Sequence, residues 1–121
     1  MILVDTSIWV DYLRAGDAKH GRLLGEGRVL THPFVIGEIA LGVFQQKPTV
    51  LMNLQRLPAT SIAGDVEILH FIATQSLSGV GIGLVDAHLL AAVFLTPGSS
   101  LWTRDNKLLA AARRTGVAAS I

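Results

Sequence analysis

An α/β fold with a central, mostly parallel β-sheet is predicted by three features of this 121-residue sequence. Short apolar runs alternate with longer helical segments, the pattern left by strands joined through crossover helices. The first run, "MILV", is apolar at every position, as a strand covered on both faces is. No repeat, low-complexity tract or linker interrupts the alternation, so residues 1–121 are expected to form one domain.

Each element follows in order. Met1 to Val4 is a buried strand, and "TSIWVDYLRAG" a helix with Thr6 or Ser7 as N-cap and Gly16 near its stop. A short helix around Lys19 to Leu24 leads to a second strand at Arg28 to Thr31. Pro33 suits a first helical position and opens "PFVIGEIALGVFQQ". Pro48 begins a helical segment over Thr49 to Arg56, which Pro58 ends, and "ATSI" is a weak third strand. A helix from Asp65 to about Ser76 precedes the glycine-rich "SGVGIG". "LVDAHLLAAVFL" is apolar on nearly every side, the mark of a buried helix, and "TPG" stops it. "SLWT" is a fourth strand, "RDNKLLAAARRTG" the final helix and "VAAS" a fifth strand.

Composition narrows the function classes. Half of the residues are hydrophobic and 16% are charged, below the average of about 25% for soluble domains. A surface so short of charge is expected to be covered in part by another subunit or partner. The net charge of +1 excludes a basic-tail nucleic-acid binder, so attraction to phosphate has to come from local clustering. The absence of cysteine excludes disulfides and zinc–thiolate sites and suits a reducing cytoplasm. The opening apolar run lacks a basic region and ends at Asp5, so it is not read as a secretion signal, and no apolar stretch approaches the roughly 20 residues of a bilayer span.

The nine acidic residues divide unevenly. Asp11, Asp17, Glu26, Asp65 and Glu67 fall on polar helix faces, in loops or in first helical turns, where solvation or the helix dipole accounts for them. Asp5 ends the first strand, and open α/β sheets bind ligands at the carboxyl ends of their strands. Capping the next helix is the competing role, which Thr6 and Ser7 already offer. Asp105 stands in the same relation to "SLWT" and serves equally well as an N-cap. If the two strands are neighbours in a parallel sheet, both carboxylates face one crevice. Asp86 lies in the first turn of the most apolar helix, where it either pairs with the helix N-terminus or, left unpaired, is costly to bury. Glu38 falls opposite the face shared by Ile36, Ile39, Ala40 and Val43, and alone is a surface residue.

Four carboxylates with few other polar groups suit a hard cation such as Mg²⁺ or Mn²⁺, and carboxylate-held ions of that kind serve in-line phosphodiester chemistry. His20, His32, His70 and His88 show no zinc-type spacing. His88, beside Asp86 but on another helix face, is read as a satisfied core or interface histidine.

"ILVDTSIWVDYL", "GEIALG", "GLVDAHLLAA" and "LWTRDNKLLAAA", in this order and at these separations, resemble PIN-domain ribonucleases, above all the VapC toxins of bacterial VapBC toxin–antitoxin pairs. The likeness spans the whole chain. It implies a PIN-like three-layer α/β domain, a central mostly parallel β-sheet of four to five strands flanked by helices. It also implies a Mg²⁺- or Mn²⁺-dependent endoribonuclease in which Asp5, Glu38, Asp86 and Asp105 are the catalytic, metal-holding quartet. Thr6 or Ser7 and Thr103 match the supporting hydroxyl positions. The resemblance further implies a cytoplasmic homodimer inhibited by a VapB-type antitoxin whose C-terminal segment fills the active-site groove. The pair then reaches promoter DNA through the antitoxin. Where many relatives carry a further acid and an aromatic after the position of Asp105, this chain has Lys107 and Leu108, so the quartet is the full acid set.

Arg104, Lys107, Arg113 and Arg114 cluster around the last helix. Arg104 and Lys107 are the candidates for contact with substrate, while Arg113 and Arg114 either add to that basic cluster or complement the helix C-terminus. A phosphoacceptor receiver domain would need an acid pair after the first strand and an aspartate near "ATSI", and both are missing. A DxDxT phosphatase fails because Thr6 and Ser7 follow Asp5. The remaining alternative to a nuclease is a catalytically silent PIN-like module that binds RNA or a regulatory partner.

Overall fold

Three short apolar segments pair side by side in the computed structural model, which describes residues 1–121. They are β1 (Ile2–Val4), β2 (Val29–Leu30) and β3 (Ser100–Trp102), in the order β2-β1-β3 and all parallel. Ile2 and Leu3 lie opposite Val29 and Leu30 on one side, and Ile2, Leu3 and Val4 opposite Ser100, Leu101 and Trp102 on the other. Helices cover the sheet, so β1 and β2 are buried at every residue and their sequences show no alternation.

"ATSI" and "VAAS" extend the sheet as single parallel bridges, Thr31 to Ala59 at one edge and Leu101 to Ala118 at the other. The parallel α/β sheet is therefore as expected, with three full strands and an abbreviated segment on each side. Pairing at Ala59 stops early because the Ser61 amide donates to Thr96 Oγ1 instead, which draws the chain towards another helix.

The seven helices are α1 (Thr6–Ala15), α2 (Ala18–Gly25), α3 (Pro33–Ala40), α4 (Lys47–Gln55), α5 (Asp65–Thr74), α6 (Leu84–Leu95) and α7 (Asn106–Arg114). Helix α1 packs on α3, α3 on α4, α5 on α6, and α6 on β3. Every residue of α6 from Ala87 to Val93 is buried, in keeping with its all-round apolar sequence. Its ends emerge at Leu84, Phe94 and Leu95. One contiguous core joins β1, α6, Leu101 and Leu108. No helix is long and apolar enough to cross a membrane.

The helix expected to run from Pro33 through "GVFQQ" stops at Ala40. The Gly42 amide turns back to the Ile39 carbonyl, and Gln46 adopts a left-handed φ of 56° before α4. Glycine is a poor helix former, and the Lys47 ammonium stabilises the turn by donating to the Gly42 carbonyl at 2.8 Å. Val43, placed by periodicity on the buried face of α3, is consequently fully exposed.

The pairing of β1 with β3 decides where the chemistry sits. The Asp5 amide donates to the Trp102 carbonyl at 3.0 Å, so the two strands end together and release Asp5 and Thr103 at one edge.

Candidate active site

Asp5 is buried at the carboxyl end of β1 and holds three hydrogen bonds through its carboxylate. Oδ1 accepts from the Thr6 amide at 2.8 Å, so Asp5, rather than Thr6 or Ser7, caps α1. Oδ2 accepts from Ser7 Oγ at 3.1 Å and from Thr103 Oγ1 at 2.8 Å. The capping reading of Asp5 is thus realised, and the same carboxylate gathers Ser7 and Thr103 at the carboxyl end of β1.

Thr103, also buried, is the link to the next acid, because its Oγ1 accepts from the Asp105 amide at 3.1 Å. Asp105 in turn caps α7, its Oδ1 accepting from the Leu108 amide at 2.8 Å. Glu38, in the last turn of α3, reaches α1: Thr6 Oγ1 donates to its Oε1 at 2.7 Å. All three hydroxyls singled out in the sequence, on Thr6, Ser7 and Thr103, therefore contact one of the four acids.

Asp86 stands half-buried in the first turn of α6, where its Oδ2 accepts a long 3.4 Å bond from the Gly83 amide. Burial lifts its carboxyl above the usual carboxylate range, against the pull of that amide. The negative charges of Asp5, Asp105 and Glu38 push it further in the same direction. Three acids from other elements thus bear on Asp86 across the edge of the sheet.

No three Asp, Glu or His side chains close up tightly enough to hold an ion as they stand. Like charges repel, and each of these carboxylates is tied locally by the bonds just described. The donor set nonetheless fits a hard divalent cation, since it is all carboxylate oxygen with no nitrogen or sulfur in it.

The basic residues divide in a way their sequence did not reveal. Arg104 pairs with Asp11 and Asp17 rather than with any of the four acids. Arg114 donates to the Gln75 and Ser76 carbonyls, complementing the end of α5 rather than that of its own helix. Lys107 has no ion pair and lies along Gly81, whose φ of +85° and lack of Cβ leave room for it. A Cβ there would meet Lys107 Cδ at 2.9 Å. Lys107 thereby bridges the segments that carry Asp86 and Asp105. The expectation for His88 needs correction in one respect: it is buried, but its Nδ1 has no hydrogen-bond partner.

A parallel sheet that gathers four acids at its carboxyl edge defines the class to which the chain is related. The sequence profile of the PIN domain matches residues 2–114. The chain belongs to the PIN-domain family. It is 46% identical over 118 residues to Ribonuclease VapC32 of Mycobacterium tuberculosis, in strain CDC 1551 / Oshkosh and equally in strain ATCC 25618 / H37Rv. The match covers 98% of this chain and 95% of the relative, which places the chain among the VapC-type members of the family.

Proposed function

We propose that this chain is a metal-dependent endoribonuclease, the toxin of a type II toxin–antitoxin pair, and that residues 1–121 form a single PIN domain. The observation that carries this reading is the set of hydroxyl links at one sheet edge, Thr103 joining Asp5 to the Asp105 amide and Thr6 joining the start of α1 to Glu38, with the Asp86 carboxyl raised in part by all three charges. Such a grouping is repulsive until a cation balances it. RNA as the substrate class is supported by the name Ribonuclease VapC32 borne by a relative 46% identical over nearly the whole chain.

A Mg²⁺ or Mn²⁺ ion held by Asp5, Glu38, Asp86 and Asp105 would supply a more acidic water and neutralise charge at the scissile phosphate. The chain's own residues orient the site. Ser7, Thr103 and the Thr6 amide fix the Asp5 carboxylate, and the Thr6 hydroxyl fixes Glu38. Lys107, unpaired and seated between the Asp86 and Asp105 segments, is the cation available to an RNA phosphate.

The same reading assigns a VapB-type antitoxin whose C-terminal segment fills the crevice, promoter DNA reached only through that antitoxin, and a cytoplasmic setting. Exposed Val66, Leu69 and Leu95 on a charge-poor surface suit a homodimer.

RNA cleavage is expected to require Mg²⁺ or Mn²⁺ and to cease with EDTA. A second readout is independent of turnover. Mn²⁺ at about 100 times its Kd stabilises the folded chain by about 2.7 kcal/mol, seen as a rise in Tm. Asp86→Asn should abolish that rise while leaving the metal-free Tm equal or higher, because a charge leaves a repulsive cluster. Metal-dependent RNA binding with no cleavage of any RNA class would instead select the silent module.

A further inference from the structure

The tripeptide Thr103-Arg104-Asp105 faces two ways. Thr103 and Asp105 turn towards the acids: Thr103 Oγ1 bonds Asp5 and receives the Asp105 amide. Arg104 reaches two other acids instead. Its Nη1 donates to Asp11 Oδ2 at 3.3 Å and its Nη2 to Asp17 Oδ2 at 2.7 Å. The guanidinium also lies 5.5 Å from the centroid of the Trp102 ring.

Each of these contacts belongs to a different element. Asp11 is in the body of α1, the helix that Asp5 caps. Asp17 is the N-cap of α2, its Oδ1 accepting from the His20 amide at 3.0 Å. That amide first, and Arg104 after it, hold the Asp17 carboxyl below its usual range. One planar group therefore joins α1, the start of α2 and the turn after β3, across separations of 93 and 87 residues.

A single exposed ion pair stabilises a fold very little. The value of this arrangement is geometric, because a rigid fork shared between two carboxylates and laid on an indole has little freedom to move. Its charge is also already balanced by two acids, unlike that of Lys107.

We propose that Arg104 is a positioning residue that clasps Asp11 and Asp17, holds Thr103 and Asp105 in place against Asp5, and makes no contact with RNA. The clasp itself is independent of the nuclease reading; its effect on turnover rests on that reading.

Arg104→Ala, Arg104→Lys, Asp17→Asn and the Arg104→Ala/Asp17→Asn double variant test it. Asparagine caps a helix as well as aspartate does, so Asp17→Asn removes the charge and spares α2. In metal-free protein, amide hydrogen exchange at Asp105 and Leu108 is expected to quicken in Arg104→Ala and Asp17→Asn, since these amides bond Thr103 Oγ1 and Asp105 Oδ1. In cleavage assays Arg104→Ala should lower kcat about 10-fold and move KM by less than about twofold, the loss typical of a group that orients others. Asp17→Asn should act in the same direction, Arg104→Lys should recover part of the loss, and the double variant should be no worse than Arg104→Ala.

The proposal is overturned if Asp17→Asn leaves exchange and kcat unchanged. It is equally overturned if Arg104→Ala acts through KM with a shallower salt dependence of RNA binding, the signature of a lost phosphate contact. Quickened exchange in a chain that cuts no RNA would uphold the clasp and overturn the nuclease reading; intact cleavage with unchanged exchange would do the reverse.

Discussion

Asp5→Asn is expected to lower kcat for RNA cleavage by more than about 100-fold, beyond the roughly 10- to 100-fold that loss of an orienting hydrogen bond costs. The substitution separates charge from shape. Asparagine keeps an Oδ1 for the Thr6 amide, so the cap of α1 survives. Its amide nitrogen replaces the oxygen that accepts from Ser7 and Thr103, and both hydroxyls have lone pairs to turn towards it. Thr103 Oγ1 already accepts once, from the Asp105 amide, and has capacity for a second donor. The fold should therefore hold, helped by the loss of one charge from a repulsive group, while the one buried anion of the quartet disappears. Single-turnover cleavage at saturating Mg²⁺, measured beside a thermal melt, decides the matter. A folded Asp5→Asn protein that cuts within a few-fold of the unaltered chain would remove Asp5 from the site.

How much of this site could be read from the chain varies with the distance over which each contact acts. The strand before Asp5 is legible because a strand covered on both faces leaves an unbroken apolar run, and Pro33 and Pro48 mark the starts of α3 and α4 by local geometry. The nearness of Asp5 to Asp105 is not local. It follows from β1 pairing with β3, which no periodicity encodes, and before the structure it rested on a conditional topology and on family resemblance. Glu38 shows the limit plainly: a helical wheel assigns it to the surface, and what ties it to the site is the Thr6 hydroxyl, 32 residues away, and its charge acting on Asp86. Arg104 was indistinguishable from its basic neighbours because its two carboxylates lie at the far end of the chain. Helix α3 ends at Ala40, short of its apolar spacing, for the opposite reason. The apolar spacing continues through Val43, but Gly42 and the left-handed Gln46 turn the backbone before that spacing can be used.

Acidification from about pH 6.5 to about pH 4 is expected to remove on the order of 2–4 kcal/mol of folding stability through His20 and His32 together. Both rings are fully buried. His20 packs between Trp9, Tyr12 and Trp102, with centroids 4.2, 4.4 and 5.8 Å away, and neither of its nitrogens has a partner. His32 Nδ1 accepts from the Phe34 amide at 3.0 Å, which requires the unprotonated nitrogen, and its Nε2 has no partner. Burial holds each pKa down to about 4; Asp17 opposes this and Arg104 adds to it at His20, while His88 adds to it at His32. The unfolded chain therefore takes up protons near pH 6.5 and the folded chain only near pH 4, so stability is fully present above this window and falls as pH drops through it. Relaxation of the surroundings and entry of water around a protonated ring reduce the effect to on the order of 1–2 kcal/mol per ring. Asp86 has the opposite sign, since protonating its raised carboxyl favours the fold, and it offsets part of the loss at the acid end. His20→Phe keeps an aromatic ring in the cage and removes two unpartnered polar atoms. Urea unfolding at neutral pH and at about pH 5 should show the variant more stable than the unaltered chain, with a flatter dependence on pH. An unchanged pH slope would mean that the ring in this cage binds its proton as readily in the folded chain as in the unfolded one.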